Sequence, residues 1–472
     1  MNEGDRPLAK LALRPPRAPH VVSGPSPGTT SDLKSLGDIF ARDLTLPVAV
    51  TPQGVATLED LARRAAGVAL AAAPGGRWIL ACEDSLCFTA GLLGLAQAGC
   101  DVVLPPNLLP GTLEALSPGT QGLLRDGDVQ AAPLPTRAPV PDTTLEFWTS
   151  GSTGTPKRVL RRFSEVTAEV PMLEGILGGS SRGALVLGTV PHHHFYGLLF
   201  RILWPLGTGR PFATETCGDP DRYAAVLAGT SAPILISSPA HLTRLPELVD
   251  LDHFRTHPAA IFSSGGPLRR EDALRWRRWV PRGILEIYGS TESGGVAWRN
   301  PSLEADSDPW TPFPDTQVSL EPDGAIHLRS PRLESGGMRM EDAAALRDDG
   351  RFQLLGRLDR VVKVEEKRVS LVELEAALEA HPAVDRAAVT LLEGHRRVLG
   401  AALVLAPGQE ASGPEARLAL SRLLRQHLGL RFDPAVLPRR WRFLAQLPFD
   451  DRGKLRTQDL AALFETREET QP

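Results

Sequence analysis

The 472-residue chain contains few cysteines and has no excess of positive charge. Its cysteines, Cys82, Cys87, Cys100 and Cys217, form no CxxC pair and no His/Cys array with zinc spacing. This pattern argues against a disulfide framework and a structural zinc site. Lys and Arg total 52 against 56 Asp and Glu, a net charge of -4, so the chain lacks the basic field that binds nucleic acid. We therefore expect no nucleic-acid partner.

Long apolar runs are also missing. No stretch approaches the roughly 18 uninterrupted apolar residues of a membrane-spanning helix, because even residues 88–104 are interrupted by Gln97 and Asp101. Residues 1–32 are rich in proline and lack the apolar core of a signal peptide. We expect a disordered leader over 1–32, no membrane span and a cytoplasmic location.

The length and the pattern of apolar runs predict an α/β protein with two parts. A single hydrophobic core rarely grows beyond about 250–300 residues, so one core is too few here. Strand-length apolar runs alternate with helical periodicity, including a helix over 58–72 that Thr57 would cap, and predict a mainly parallel sheet flanked by helices. Turns at 322–324 and 348–350 predict short strands. Beyond Asp359 the sequence predicts a smaller α+β core, with strands at 361–364, 386–392 and 399–405 and helices at 371–379 and 415–428.

A loop rich in glycine and hydroxyl residues follows the strand-like run at 144–148. It reads Thr149-Ser-Gly-Ser-Thr-Gly-Thr-Pro-Lys157, and its backbone amides could surround phosphate oxygens. It is not a Walker A loop, because Pro156 precedes the lysine and Arg158 follows it. A flexible surface loop of the same composition is the alternative interpretation.

Five ordered segments together resemble the adenylate-forming superfamily, which includes acyl-CoA synthetases, peptide-synthetase adenylation domains and firefly luciferase. They are 147–157, Pro191-His-His-His-Phe-Tyr-Gly197, Tyr288-Gly-Ser-Thr-Glu292, 356–363 and Pro448-Phe-Asp-Asp-Arg-Gly-Lys454. The resemblance implies a large AMP-binding adenylation domain of several subdomains over 33–358 and a small mobile α+β cap over 359–472. It also implies an enzyme in which a carboxylate attacks the α-phosphate of ATP and the acyl adenylate then reacts with a thiol.

The resemblance assigns roles to individual residues of the nucleotide site. Tyr288 would stack on adenine, Thr291 would contact the α-phosphate, Glu292 would bind Mg²⁺ and Lys454 would bridge the acid and the α-phosphate during catalysis. Asp359 would be the hinge of the cap. The remaining ATP-binding residues that it implies are Thr149, Ser150, Gly151, Ser152, Thr153, Gly154, Lys157, Gly265, Gly266, Asp342 and Arg357.

Some of these residues also have ordinary structural interpretations. Tyr288 could be a core aromatic, Glu292 a carboxylate at a helix start, and Lys454 a solvated lysine. Asp342 is assigned by its spacing from Gly356, since the family usually has Thr-Gly-Asp where this chain has Met340-Glu-Asp342.

Two further departures concern the thiol step and the phosphate loop. Glu366 stands where the family usually has a glycine beside the thiol tunnel, and Arg158 replaces a glycine that commonly follows the lysine. We interpret both as features of a subgroup. The segment 364–371, with the His-rich segment, resembles ligases of aryl-polyene and xanthomonadin-type pathways, which are thought to load an aryl acid on an acyl carrier protein.

The acid pocket is expected around the His-rich segment, with His194 orienting the carboxylate or shaping the gate to the thiol channel. Three consecutive histidines could also be a metal tract, but no Cys or carboxylate lies at ligand spacing.

The substrate is predicted to be a small carboxylic acid, with an aryl acid favoured over a fatty or medium-chain acid. The acceptor thiol could belong to CoA or to a carrier protein. Adenylation without thiol transfer and a non-catalytic nucleotide-binding regulator remain alternatives. The predicted pocket residues are His194, Phe195, Tyr196, Gly197, Ser238 and Gly289.

Overall fold

A computed structural model describes most of the chain. The described residues are 36–134, 139–150, 156–177, 183–217, 233–252, 254, 260–303, 309–333, 335–364, 367–393, 397–449, 455 and 457–465. The predicted leader over 1–32 lies outside them. The helices, in chain order, are α1 Leu58–Ala71, α2 Ser85–Gln97, α3 Pro110–Leu116, α4 Phe163–Thr167, α5 Glu169–Leu177, α6 Phe195–Gly197, α7 Trp204–Thr208, α8 Pro239–Leu248, α9 Arg270–Trp276, α10 Leu371–Glu379, α11 Pro414–Gly429 and α12 Thr457–Glu465.

The strands lie in several sheets. In chain order they are β1 Pro47–Thr51, β2 Gly54–Thr57, β3 Arg77–Leu80, β4 Asp101–Leu104, β5 Gly122–Leu124, β6 Thr144–Ser150, β7 Pro156–Arg162, β8 Val186–Gly188, β9 Phe212–Ala213, β10 Ile234–Ser237, β11 Ala260–Ser263, β12 Ile284–Ser290, β13 Gly294–Arg299, β14 Thr311–Pro312, β15 Gln317–Leu320, β16 Ala325–Arg329, β17 Gly337–Leu346, β18 Phe352–Arg357, β19 Val361–Val364, β20 Lys367–Ser370, β21 Val384–Leu392, β22 Val398–Leu405 and β23 Arg440–Leu444.

The first large sheet has the order β5-β3-β4-β6-β7, with a parallel centre and an antiparallel edge formed by β6 and β7. Helices α1 and α2 pack against each other and bury Leu61, Ala65 and Phe88 in the same hydrophobic core. Thr57 caps α1 through a capping box, since its hydroxyl accepts from the backbone amide of Asp60 while the Asp60 carboxylate accepts from the backbone amide of Thr57. The predicted helix and its N-cap are therefore confirmed.

The second large sheet has the order β14-β13-β12-β11-β10-β8-β9-β1-β2. Its middle strands β12, β11, β10, β8 and β9 are all parallel, as the repeated apolar runs predict. These strands are apolar along their length because both faces of a parallel sheet are covered. Their carboxyl ends lie at one edge, which is where ligands bind in open α/β sheets.

Smaller antiparallel elements follow the second large sheet. Strands β15 to β18 form a four-stranded sheet in sequence order, with turns at 322–324 and 348–350 as predicted. A hairpin of β19 and β20 precedes a three-stranded sheet, β21-β22-β23. Helices α10 and α11 cover that sheet around a separate core containing Leu374, Leu403 and Leu424. The predicted α/β class, with a large N-terminal part and a smaller C-terminal sheet, is confirmed.

An ion cluster joins the two parts. The Arg269 guanidinium lies 3.1 Å from the Asp385 carboxylate and 3.8 Å from Glu379. The domain boundary at Asp359 stays a prediction. Among the helices in the described part of the chain, none combines the length and apolar character needed to span a bilayer.

Candidate active site

A pocket opens at the carboxyl ends of the parallel strands of the second sheet and holds about 1120 Å³ of empty space, its open mouth included. Its walls come from segments that directly follow β8, β10, β11 and β12, together with the end of β6. This position is the one expected for a ligand site in an α/β sheet. The pocket is lined by every residue assigned to it from the sequence, namely His194, Phe195, Tyr196, Gly197, Ser238 and Gly289.

The first histidine of the His-rich segment is a buried anchor. Its Nε2 lies 2.9 Å from the Cys82 carbonyl, and its Nδ1 lies 3.0 Å from the Ser85 hydroxyl. Burial, with a contribution from nearby Arg201, lowers the pKa of His192 well below its usual value. The ring is therefore neutral, with Nε2 donating to the carbonyl and Nδ1 accepting from the hydroxyl. This anchor holds the following two histidines, His193 and His194, at the pocket wall.

The metal-tract interpretation of the histidines finds no support in the structure. Within the described ranges, no group of three or more His, Cys, Asp or Glu side chains could hold a metal ion. His193 and His194 instead lie ring against ring, with centroids 4.5 Å apart. They line the pocket beside Phe195 and Tyr196.

The predicted phosphate loop connects two antiparallel strands. In the hairpin of β6 and β7, Thr149 pairs with Lys157 and Ser150 pairs with Pro156. A Walker A loop would lead into a helix, so the geometry agrees with the exclusion made from the sequence. The predicted phosphate-binding residues Gly151, Ser152, Thr153 and Gly154 lie outside the described residues.

A buried carboxylate explains the unusual arginine after the loop lysine. Glu146 is 1% exposed and accepts ion pairs from Arg77 at 2.6 Å and from Arg158 at 2.7 Å. It also accepts a 2.7 Å hydrogen bond from the Trp148 indole. Burial opposes ionisation of Glu146, but these donors outweigh it and lower its pKa. Arg158 thus helps hold Trp148, which lines the pocket.

The turn that carries Thr291 and Glu292 connects β12 to β13. Reciprocal hydrogen bonds between Ser290 and Ser293 close it, at 2.9 Å and 3.1 Å. The Lys157 ammonium lies 2.7 Å from the Glu292 carboxylate. Burial alone would raise the pKa of Glu292, but Lys157 and other donors lower it below its ordinary value. The loop lysine and the predicted Mg²⁺ ligand are therefore adjacent.

Arg161 holds this turn in place through its guanidinium. The sequence did not reveal this interaction. Its guanidinium donates to the carbonyl oxygens of Thr291 at 3.0 Å and Glu292 at 3.1 Å. Its side chain is 5% exposed and also pairs with Glu165 at 3.1 Å. Since Arg161 lies on β7, it ties the strand after the phosphate loop to the turn that carries the predicted metal ligand.

A second buried charge cluster lies beside the same turn. Glu169 accepts a 2.9 Å hydrogen bond from the Gly295 amide and lies 3.5 Å from the Arg332 guanidinium. Arg332 also pairs with Asp315 at 2.7 Å. Burial raises the pKa of Glu169 even though Arg332 opposes the shift. This cluster supports β13, which follows the Thr291–Glu292 turn directly.

The glycine turn predicted to face adenine lies at the end of β11. The Ser264 hydroxyl donates to the Ile287 carbonyl at 2.8 Å, which holds the turn against β12. Gly265 lines the pocket with φ +92°, a conformation that favours glycine, and neither Gly265 nor Gly266 has a neighbour within 4 Å of an added Cβ. The main chain here is therefore open to a flat ligand.

The predicted ribose and adenine residues are close to one another. Asp342 on β17 pairs across strands with Arg357 on β18. Burial raises the pKa of Tyr288 above its usual range, and the carboxylate of Asp342 adds to the shift, so the phenol and carboxylate are neighbours. The Tyr288 ring packs 5.5 Å from the Trp310 ring. The structure thus brings Tyr288, Asp342 and Arg357 together, although none of the three lines the pocket.

Two predicted residues of the C-terminal part give no side-chain geometry. The catalytic candidate Lys454 lies outside the described residues, as does Glu366. The hinge candidate Asp359 lies in a short 3₁₀ turn over Leu358–Arg360, between β18 and β19. Their roles stay predictions.

Comparison with known proteins identifies the family. The family model described as AMP-binding enzyme matches residues 110–326. A 4-coumarate–CoA ligase from Cereibacter sphaeroides is 30% identical over 320 residues, covering 67% of this chain and 71% of the relative. The chain belongs to the AMP-binding enzyme family.

Other relatives in this AMP-binding family agree. A 4-coumarate–CoA ligase from Rhodobacter capsulatus is 31% identical over 321 residues, covering 66% of this chain and 75% of the relative. The fold is similar to that of a benzoate CoA ligase from Burkholderia xenovorans LB400, with a TM-score of 0.74 at 19% identity over 91% of this chain and all of that one. The protein is an adenylate-forming acid–thiol ligase, as the motifs imply. Its relatives therefore disfavour the alternative of a non-catalytic nucleotide-binding regulator.

Proposed function

We propose that this AMP-binding enzyme activates an aryl carboxylic acid with ATP and Mg²⁺ and transfers the acyl group to the thiol of CoA or of a phosphopantetheine carrier protein. The observation that carries the proposal is the pocket itself. Aromatic rings of Phe147, Phe195 and Phe200 line it, as does Thr291 of the turn after β12. A flat acid fits between such rings with its carboxylate at the turn. Two relatives are named for CoA ligation of 4-coumarate, which is an aryl acid.

The reaction would proceed in two balanced steps. A carboxylate oxygen attacks the α-phosphorus of ATP, the bond to the β-phosphate breaks, and pyrophosphate leaves with its electron pair. The thiol sulfur then attacks the acyl carbon, AMP leaves, and the thiol proton passes to solvent. Lys454 would supply positive charge in the first step, where two anions approach each other.

The residues present fit a magnesium ion held together with the nucleotide. Proteins commonly bind Mg²⁺ through one or two carboxylates plus substrate phosphates, and the ion then neutralises phosphate charge. Glu292 supplies one such carboxylate, and its lowered pKa keeps it ionised. Lys157, 2.7 Å away, would exchange this ion pair for contacts with the phosphates.

The acceptor and the acid are tested in one screen. Pyrophosphate release is measured with benzoic, cinnamic and medium-chain acids, with and without CoA or purified carrier proteins, and thioesters are trapped and identified by mass spectrometry. We expect release with aryl acids and a thioester on one acceptor. Release without any thioester would favour adenylation alone, and a preference for medium-chain acids would contradict the aryl assignment.

A further inference from the structure

The hairpin of β6 and β7 extends beyond the first sheet as a ribbon of two strands. In the described structure, β4 pairs with β6 only as far as Phe147, whereas β6 and β7 remain paired up to Ser150. Trp148 and Arg158 form the first pair beyond β4, and Lys157 lies one position further along the ribbon. A two-stranded ribbon is only marginally stable by itself in water. The position of Lys157 therefore depends on contacts that hold this ribbon against the sheet.

The two faces of β7 contact different parts of the molecule. Lys157 and Arg161, on one face, both reach the Thr291–Glu292 turn. Arg158, on the opposite face, pairs with the Glu146 carboxylate at 2.7 Å. Side chains alternate between the two faces along a strand. Holding Arg158 on one face therefore also sets the direction in which Lys157 points on the other.

Glu146 is the anchor of this contact. Its side chain is 1% exposed, and each of its carboxylate oxygens accepts from two donors. One oxygen accepts from Arg77 at 2.6 Å and from the Trp148 indole at 2.7 Å. The other accepts from Arg158 at 2.7 Å and from the Nε of Arg77 at 3.2 Å. Charge-assisted hydrogen bonds are the strong ones, so these four residues, the Glu146 cluster, hold the carboxylate in one orientation.

The Glu146 cluster reaches across the sheet, because Arg77 lies on β3. In the order β3-β4-β6-β7, it joins the first and the last of four adjacent strands. Arg77 also donates to the carbonyl oxygens of Pro118 at 3.4 Å and Gly119 at 3.5 Å, which fixes its own position. The cluster thus ties the ribbon to the interior of the sheet at the pair next to Lys157.

We propose that Arg158 is a positioning residue for adenylation, which acts through the Glu146 cluster by holding Lys157 toward the phosphates of MgATP. The Lys157 ammonium lies 2.7 Å from the Glu292 carboxylate, beside the predicted Mg²⁺ ligand. A charge that is oriented before the substrate arrives needs no reorganisation in the transition state. The inference rests on the proposed function, in which Lys157 and Glu292 contact MgATP.

The test measures nucleotide binding separately from use of the acid. Arg158→Met keeps the stem of the side chain and removes the guanidinium, and Glu146→Gln removes the charge of the anchor. In the full chain, we expect both variants to raise the KM for MgATP about three- to tenfold in pyrophosphate release, while the KM for the acid changes less than about twofold. Arg158→Lys, which restores a charge, should recover part of the difference. Calorimetric titration with the Mg²⁺ complex of α,β-methylene-ATP should show the same loss of affinity without any acid.

Two comparisons separate positioning from a general loss of structure. Arg162 lies on the same strand and the same face, in an exposed pair with Asp142, so Arg162→Met should leave the KM for MgATP unchanged. Residues that act through one another are not additive. Arg158→Met should therefore raise the KM for MgATP no further when Lys157→Met is already present.

An equal KM for MgATP in Arg158→Met and Arg162→Met overturns the positioning role, as does an increase that multiplies with that of Lys157→Met. If Arg158→Met does not fold, Glu146→Gln and Arg158→Lys must still raise the KM for MgATP above that of Arg162→Met. Absence of pyrophosphate release with every acid overturns the proposed function, whereas the titration with the ATP analogue still decides whether Arg158 supports nucleotide binding.

Discussion

Arg161 is predicted to hold the Thr291–Glu292 turn, and its removal should weaken both folding and nucleotide binding. The change is Arg161→Met, which keeps the apolar stem and removes the guanidinium. That group is 5% exposed and donates to two backbone carbonyls at 3.0 Å and 3.1 Å. Charged hydrogen bonds contribute about 1.5–3 kcal/mol each, and removing one partner of a buried charged cluster costs about 3–5 kcal/mol.

The adjacent residue offers a matched control. Arg162 lies on the same strand and pairs with Asp142 at 3.0 Å, but both side chains are exposed, 45% and 41%. An exposed pair contributes about 0–1 kcal/mol. Arg162→Met should therefore reduce the free energy of unfolding by less than about 1 kcal/mol, whereas Arg161→Met should reduce it by about 3–5 kcal/mol.

The assay combines urea unfolding with steady-state kinetics. For Arg161→Met we expect the KM for MgATP to rise more than the KM for the acid, because Thr291 and Glu292 are the predicted contacts of the α-phosphate and Mg²⁺. Arg161→Lys, which keeps a charge but not the forked geometry, should fall between the two. If Arg161→Met and Arg162→Met unfold alike, or if the KM for MgATP is unchanged, Arg161 does not position the turn.

Three further predictions concern other parts of the site. Lys454→Ala should slow adenylation by about 10²–10³ while a preformed acyl adenylate still reacts with thiol, measured in single turnovers; equal loss in both half-reactions refutes the role. Gly265→Ala should lower the melting temperature, because φ +92° strains any residue with a Cβ even though the space above it is open; an unchanged melting temperature contradicts this. Lys157→Met should destabilise the protein by less than about 1 kcal/mol. Because the folded-state pKa of Glu292 is lowered, the loss of unfolding free energy in Lys157→Met should be complete above the ordinary glutamate pKa of about 4.3 and should vanish as the pH falls through the lowered pKa. Unfolding measured against pH tests this. A loss of stability that persists in acid contradicts the pairing.

Elements with strong local signals were predicted closely. Helix α10 runs over Leu371–Glu379 as the sequence indicates, because Ser370 caps its first turn and apolar residues recur at helical spacing. The structure places all six residues assigned to the pocket at its wall, and all but Ser238 belong to the ordered motifs; their roles in binding stay predictions. Helix α10 is therefore determined by local interactions, and most pocket residues could be assigned because they lie in recognisable motifs.

The sequence did not reveal the side chains that support the motifs. Arg161 contacts a turn 130 positions away, and His241, which lines the pocket, is held by Thr189, 52 positions away. Neither belongs to a motif, and an arginine on a strand or a histidine on a helix is most often a surface residue. Only the arrangement of β7, β8, β10 and β12 brings them to the site.

The central claim is that this chain forms an acyl adenylate from an aryl acid in the pocket above β8 to β12. The most direct measurement is acid-dependent exchange of labelled pyrophosphate into ATP, since exchange requires reversible adenylate formation and no acceptor thiol. The account predicts exchange with aryl acids that is lost without acid and strongly reduced in Lys454→Ala. No exchange with any acid, or exchange of equal rate without acid, would contradict it.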